Sequence, residues 1–232
     1  MPARLRPTAP IAADAILVGD PGRALMLAQE LLEQPKMSNH ARGLWGYTGT
    51  TADGHELTIQ STGMGGPSAR IVLADLAELG VRRAIRIGTC ASLRNHRLGE
   101  LAIVTDAFPE PGGSLRTHGN RMEPQEPVME PDPILTHELV ETLGSEAPGV
   151  VSVSLDVLHR PDQEAHPAAE VADMQTAALF ATGSEFEIAV AALLIVSQTR
   201  DGKVLGDEEL EEAAKRAGTA AANLLAESNP LL

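Results

Sequence analysis

Along the chain, short apolar runs that close on a glycine alternate with longer stretches whose apolar residues recur at helical spacing. From Ala15 to Gly19 such a run delivers a glycine. Asp20-Pro21 behind it is a helix start, with Asp as N-cap and Pro at the first helical position. Leu25, Ala28, Leu31 and Leu32 keep the helical spacing, and Pro35 lies beyond the expected helix end. The segment LWGYTGTTADGHELTIQSTG predicts two strands that turn at Asp53-Gly54. Pro67 and Ser68 then open a helix that carries Ile71, Ala74 and Leu79 and stops at Gly80, and RRAIRIGT after it reads as a buried strand.

The alternation continues to the last helix. Leu101 to Thr105 predicts a strand, Asp132-Pro133 starts a helix through Leu143 with Gly144 as its cap, and Val150 to Leu155 is β-branched enough for a strand. Thr176 to Ala181 reads as a short helix and Ala189 to Val196 as a fully buried strand. Asp207 caps a long helix reaching about Glu227. Residues 109 to 131, rich in Pro, Gly and Glu, predict a surface loop and a candidate lid. This order implies an α/β fold, a sheet covered by helices on both faces with ligands at the carboxyl ends of the strands. No internal repeat is present.

Composition narrows the picture. With 232 residues and no low-complexity linker, residues 1–232 are expected to form one domain. A net charge of -14 with only 18 Lys plus Arg repels polyanions, and no basic, aromatic-studded track suggests nucleic acid. Any bound anion must therefore meet a local group of cations. The single cysteine, Cys90, excludes an internal disulfide framework and gives no metal-thiolate set, which favours a reducing cytoplasm. No apolar run reaches the roughly 18 to 20 residues of a membrane span, and MPARLRPTAP lacks the apolar centre of a secretion signal.

Three motifs carry candidate chemistry. In ILVGDPGR a strand delivers Gly19 to a helix N-terminus with Arg23 one turn in, so that free N–H groups, the helix dipole and a guanidinium can converge on an anion. An ordinary β-α turn with an exposed arginine reads the same residues equally well. STGMGGPS, with three glycines between a strand and a helix, is neither a dinucleotide fingerprint nor a P-loop, and in isolation it is a plain turn. AIRIGTCAS puts Arg86 inside an apolar strand, with Thr89 directly after Gly88. A buried arginine needs a partner, either a structural carboxylate or a bound anion.

Together, at these intervals, the motifs resemble the nucleoside phosphorylase family, of the hexameric purine type and its uridine phosphorylase relatives. The likeness runs from about Ala13 to the C-terminal helix, with STGMGGPS and GELAIVTDA in their expected places. It implies a three-layer α/β/α sandwich with a mixed, partly barrel-like central sheet. It also implies a phosphate site at Gly19, Arg23, Arg86 and Thr89, completed by Arg42 of NHARGLWGYTGT from a neighbouring subunit, hence a homodimer or a hexamer built as a trimer of dimers. No cofactor or metal is implied; inorganic phosphate is the co-substrate, and no nucleic-acid or membrane partner is expected.

The sugar and base positions depart from the family pattern. ADMQTAALF matches the segment with Glu-Met-Glu, so Met174 keeps the residue under the ribose while Gln175 replaces the glutamate that accepts both ribose hydroxyls. In LLIVSQTR, Gln198 stands where purine-specific members carry the aspartate that protonates the base, and it cannot donate such a proton. That strand end is closer to the uridine phosphorylase form, in which Gln163 would read the base edge, although Ala165 occupies the arginine position. Aligned to the purine form, Leu158 replaces a stacking phenylalanine, and Cys90 and Ala91 fall beside the base. The family's second-subunit histidine has no counterpart, Arg4 being nearest by spacing, and the stretch between Glu164 and Asp173 is short.

The resemblance implies phosphorolysis of a nucleoside to free base and pentose 1-phosphate, with Arg86 and Gln198 in the catalytic roles and with His159 or Arg160 as further candidates beside the leaving group. A lean toward uridine-type substrates follows from Gln198. Two other readings stand beside it. One is a non-catalytic nucleoside- or phosphate-binding member with degraded ribose and base sites. The other is a water-using nucleosidase, disfavoured by the retained arginines and by the missing acid at position 198.

Overall fold

Nine strands of one mixed sheet organise the molecule in this computed structural model, which describes residues 4–110, 128–158 and 166–227. In chain order these are β1 (Asp14–Val18), α1 (Pro21–Leu31), β2 (Glu33–Asn39), β3 (Gly46–Thr50), β4 (Glu56–Ser61), α2 (Gly65–Glu78) and β5 (Arg83–Ser92). There follow β6 (Leu101–Pro109), α3 (Pro133–Leu143), β7 (Gly149–Ser154), β8 (Val171–Asp173), α4 (Thr176–Phe186), β9 (Ala189–Gln198) and α5 (Asp207–Glu227). The spatial order is β2-β3-β4-β1-β5-β8-β7-β6-β9, and β9 returns to pair with β5. Strands β5, β8, β7, β6 and β9 thus close on one another, which is the partly barrel-like sheet that the resemblance implies.

Alternation along the strands builds the layers, because successive side chains point to opposite faces. Ile16 and Val18 of β1, Ile85 and Ile87 of β5 and Leu193 and Ile195 of β9 pack in one layer with α1, α3 and α5. Ala15, Leu17, Ala84, Ala192 and Leu194 pack in the other with α2 and α4. Gly218 shows how closely the helices approach: a Cβ there would lie 2.6 Å from Leu27 Cδ2. Small residues on α5 therefore let the helices close in on each other where scarce aromatics supply no bulk.

The caps read at Asp20 and Asp132 hold, whereas Asp207 is the first residue of α5 rather than its cap. Asp20 accepts a hydrogen bond from the Arg23 amide and Asp132 from the Leu135 amide, with Pro21 and Pro133 at the first helical positions. The Asp53-Gly54 turn joins β3 and β4 as an antiparallel pair. Two strands have no counterpart in the pattern. The residues of β2 are largely exposed and irregular in register, with Gln34 at φ 48, and Pro35 is tolerated because only β3 pairs with this edge. Strand β8 is three residues long, too short to carry a period. Helix α2 begins at Gly65, before Pro67, which sits in the first turn where its missing N–H is not needed. Strand β6 and helix α4 also run further than expected, to Pro109 and Phe186. Most of the stretch 109 to 131 lies outside the described residues.

For function, the decisive feature is that β4, β1 and β5 are parallel neighbours. Their carboxyl ends bring Gly63, Gly19 and Gly88 to one place.

Candidate active site

The site grows from those strand ends. Strand β1 runs out at Val18, Gly19 follows, and α1 starts with its first amides pointing away from the helix, an arrangement that favours an anion. Gly19 itself has room: a Cβ would find nothing nearer than the Gly63 carbonyl at 3.5 Å. Strand β4 continues into Thr62 and Gly63, and Gly63 and Gly65 adopt φ values of 72 and 78 that favour glycine. The Ser68 hydroxyl donates to the Thr62 carbonyl at 2.6 Å and closes this turn onto α2.

Arg86 leaves β5 on the face shared with α2 and α4, and its guanidinium lies directly over Gly88. A Cβ at Gly88 would stand 2.5 Å from Nη2, so only glycine leaves the arginine where it is. Its Nη2 donates to Asp173 Oδ2 at 2.9 Å, Nη1 to Gln175 Oε1 at 2.6 Å and Nε to Thr176 Oγ1 at 3.2 Å. Three of the five N–H groups of a guanidinium are thereby engaged, leaving two for a ligand.

Asp173, at the end of β8, is the centre of this network and was not singled out from the sequence. Its Oδ2 also accepts from the backbone amides of Gln175 and Thr176 and from the Thr176 hydroxyl, while Oδ1 accepts from Ser154 at 2.6 Å and Ser152 at 3.4 Å. An acid that serves the first amides of a helix and meets a buried arginine is legible in principle, since Asp173 lies three residues before Thr176, where α4 starts. What hid it is that β5 and β7 supply its partners.

A cavity of about 520 Å³ opens over these groups. It is lined by Gly19, Arg23, Arg86 and Thr89 together with Met174, Gln175, Leu158, Met64 and the Gly63–Gly65 turn, and Gln175 sits directly against Arg86. Seven residues expected in the site therefore line one space. Burial pulls the Arg23 guanidinium below the usual arginine range; Asp20 opposes this and Arg86 adds to it. Arg23 makes no ion pair among the described residues. Two guanidiniums facing one desolvated space at a helix N-terminus are mutually repulsive until an anion joins them.

The other expected residues lie elsewhere. Arg42 lines a neighbouring cavity of about 640 Å³ together with Arg4 and Asp156, and the two cavities share Met64, Gly65 and Met174. It is held at φ 60 and ψ 18 in a short 3-10 turn, a left-handed conformation that costs a non-glycine residue about 1 to 3 kcal/mol. Cys90 is 1% exposed in the core layer that holds Ala102 and Val196, and burial pushes its thiol well above the usual range. Ala91 and Gln198 face each other in the β5–β9 register, and Gln198 also bridges to Val204. Neither lines the cavity. Gln163, Ala165, His159 and Arg160 lie outside the described residues.

Among the described residues no group of His, Cys, Asp and Glu is placed to hold a metal ion, and no helix is long and apolar enough to cross a membrane.

Comparison with known proteins gives a consistent result. Residues 14–228 match the phosphorylase superfamily profile. The DeoD-type purine nucleoside phosphorylase of Clostridium novyi is 30% identical over 206 residues, covering 85% of this chain and 86% of that one, and its namesake in Clostridium beijerinckii is 32% identical over 200 residues. A shorter match, to the Oceanobacillus iheyensis protein of the same name, is 44% identical over 85 residues and spans 36% of that protein's length. In three dimensions the chain superimposes on purine nucleoside phosphorylase from Toxoplasma gondii, solved with immucillin-H, with a TM-score of 0.79 at 21% identity, covering 94% of this chain and 93% of that one. Uridine phosphorylase from Vibrio fischeri gives the same TM-score, identity and coverage. At these identities the superpositions speak to the fold.

Proposed function

The chain belongs to the phosphorylase superfamily, and from that premise we propose that it is a nucleoside phosphorylase, cleaving the N-glycosidic bond of a nucleoside with inorganic phosphate to give free base and pentose 1-phosphate. The observation that carries the reading is the convergence of Arg23 and Arg86 on one cavity at the N-terminus of α1. Phosphate held there by the two guanidiniums, Thr89 and the Gly19 amide would attack the anomeric carbon. The C–N bond breaks with its electron pair leaving on the base, and the new C–O bond forms to phosphate. Positive charge that develops on the sugar is met by the phosphate dianion, so catalysis rests on placing phosphate rather than on a protein nucleophile. No cofactor enters this scheme.

Leu158 and Met174, which this reading sets beside the base, are apolar, and Gln198 cannot supply a proton. This favours a leaving group stabilised through carbonyl oxygens, hence uridine-type substrates, although the curated relatives named above are purine phosphorylases. Arg42, which lies off the cavity in its own chain, would serve the phosphate site of a second copy, making the working unit a homodimer or a multiple of it. A cytoplasmic location accords with the single buried thiol.

The deciding experiment incubates the protein with purine and pyrimidine nucleosides, with and without phosphate, and assays free base and pentose 1-phosphate. Phosphate-dependent release of both products is expected; its absence with every substrate would sink the reading. Light scattering at micromolar concentration should find no monodisperse monomer.

A further inference from the structure

We propose that this cavity is blind to the sugar hydroxyls: it gains no affinity from the 2′,3′-diol, and deoxy- and dideoxynucleosides bind it at least as well as ribonucleosides. The inference rests on the phosphorolysis reading. It starts from where that reading puts the sugar, beside a phosphate on Arg23 and Arg86 and against Met174 and Gln175, which line the same cavity.

Two side chains at that position carry acceptors, Gln175 and Asp173, and protein donors occupy both. The Gln175 oxygen takes the Arg86 Nη1 hydrogen bond at 2.6 Å and lies 3.0 Å from the Thr62 hydroxyl. Its nitrogen donates to the carbonyls of Gly63 at 2.7 Å and Gly65 at 3.3 Å. The amide cannot flip, since that would set its NH2 against Arg86 and its oxygen against two carbonyls. Asp173 accepts from Arg86, two backbone amides and three hydroxyls. Gln175 is 3% and Asp173 1% exposed. Among the described residues a diol entering here gives up water and finds both of these acceptors taken, and in the phosphorolysis reading the two N–H groups left on Arg86 go to phosphate, so its hydroxyls contribute nothing or weaken binding.

Calorimetric titration of the wild-type protein tests this with uridine, 2′-deoxyuridine and 2′,3′-dideoxyuridine, and with the inosine series. Phosphate is left out so that its oxygens cannot stand in as acceptors. Dissociation constants that stay level or fall as hydroxyls are removed are the expected result. A loss of affinity of more than about threefold on removing either hydroxyl, in whichever series binds, overturns the proposal; a single lost hydrogen bond to a charged or polar partner is worth at least that much. If ribonucleosides win and phosphate-dependent cleavage is also seen, the proposal falls while the phosphorolysis reading stands. If no nucleoside binds and none is cleaved, both fall.

Discussion

Arg86 Nη2 lies 2.9 Å from Asp173 Oδ2, and the two side chains are 5% and 0% exposed. The sequence left Arg86 open between a structural carboxylate and a bound anion; the arginine in fact pairs with Asp173 and lines the cavity as well. Its charge is largely balanced before any ligand arrives, so Arg86 is a fixed, partly neutralised donor, whereas Arg23 has the field of Asp20 but no ion pair among the described residues.

Removing one partner of that pair strands the other in the interior. Arg86→Ala should destabilise the fold by about 3 to 5 kcal/mol, the range for breaking a buried ion pair. Arg86→Ala combined with Asp173→Asn should recover part of the loss. Urea unfolding of the wild type, both single variants and the double variant decides this, and a strictly additive double variant would show that the pair is not coupled.

Arg23 should behave differently, since it makes no ion pair among the described residues. Arg23→Ala is expected to weaken phosphate by about 1.5 to 3 kcal/mol, one charge-assisted contact, while the unfolding midpoint hardly moves. Phosphate titration beside a thermal melt separates the two effects; unchanged phosphate affinity would mean that the anion end is misplaced.

Cys90 supplies a check on what the cavity reaches. Because it is buried and burial pushes the thiol up, little thiolate forms near neutral pH. Iodoacetamide at pH 8 should leave the native protein unlabelled and modify it fully in denaturant. Rapid native labelling, slowed by nucleoside, would instead put Cys90 beside the base.

Acid should loosen the segment between β5 and β6. Burial raises the Glu100 carboxyl, but hydrogen bonds from His96 and the Arg97 amide outweigh that and hold it below the usual carboxylate range. A depressed folded-state value means that the stabilisation is present above the unfolded pKa and is lost as pH falls through the folded one. Glu100→Gln should therefore flatten the acid limb of the stability profile and leave its neutral plateau lower.

Much of this was legible because it is local. Asp20-Pro21, Asp132-Pro133 and Asp207 mark helix starts by chemistry confined to one turn, and the glycines at positions 19, 63 and 88 mark where strands deliver the chain to the cavity. Asp173 and the state of Gln175 were not legible, because each is defined by groups roughly 90 to 110 positions away, on β5 and in the Gly63–Gly65 turn. The edge strand β2 escaped notice for a related reason: pairing with β3, rather than an apolar pattern of its own, makes it a strand. Position along β5 did not foretell that Cys90 would turn into the core while Thr89 lines the cavity.

Gln175→Glu addresses the departure from the family pattern directly. In the wild type the amide nitrogen serves the Gly63 and Gly65 carbonyls, and the oxygen serves Arg86. A carboxylate keeps the second contact and strengthens it, but it cannot serve the carbonyls, which repel it. One carboxylate oxygen is thereby driven toward the cavity, where it becomes the acceptor that a diol lacks. Ribonucleosides should tighten by about 1 to 3 kcal/mol. A 2′,3′-dideoxynucleoside, with no hydroxyl to offer, should not improve, and desolvating the carboxylate can weaken it. The lost amide contacts should lower the melting temperature as well, so stability and affinity are expected to move in opposite directions. That opposition excludes a general stiffening of the site as the cause. Titration calorimetry of both ligands on both proteins decides the matter: equal changes for the two ligands, or none for either, would mean that Gln175 does not face the sugar.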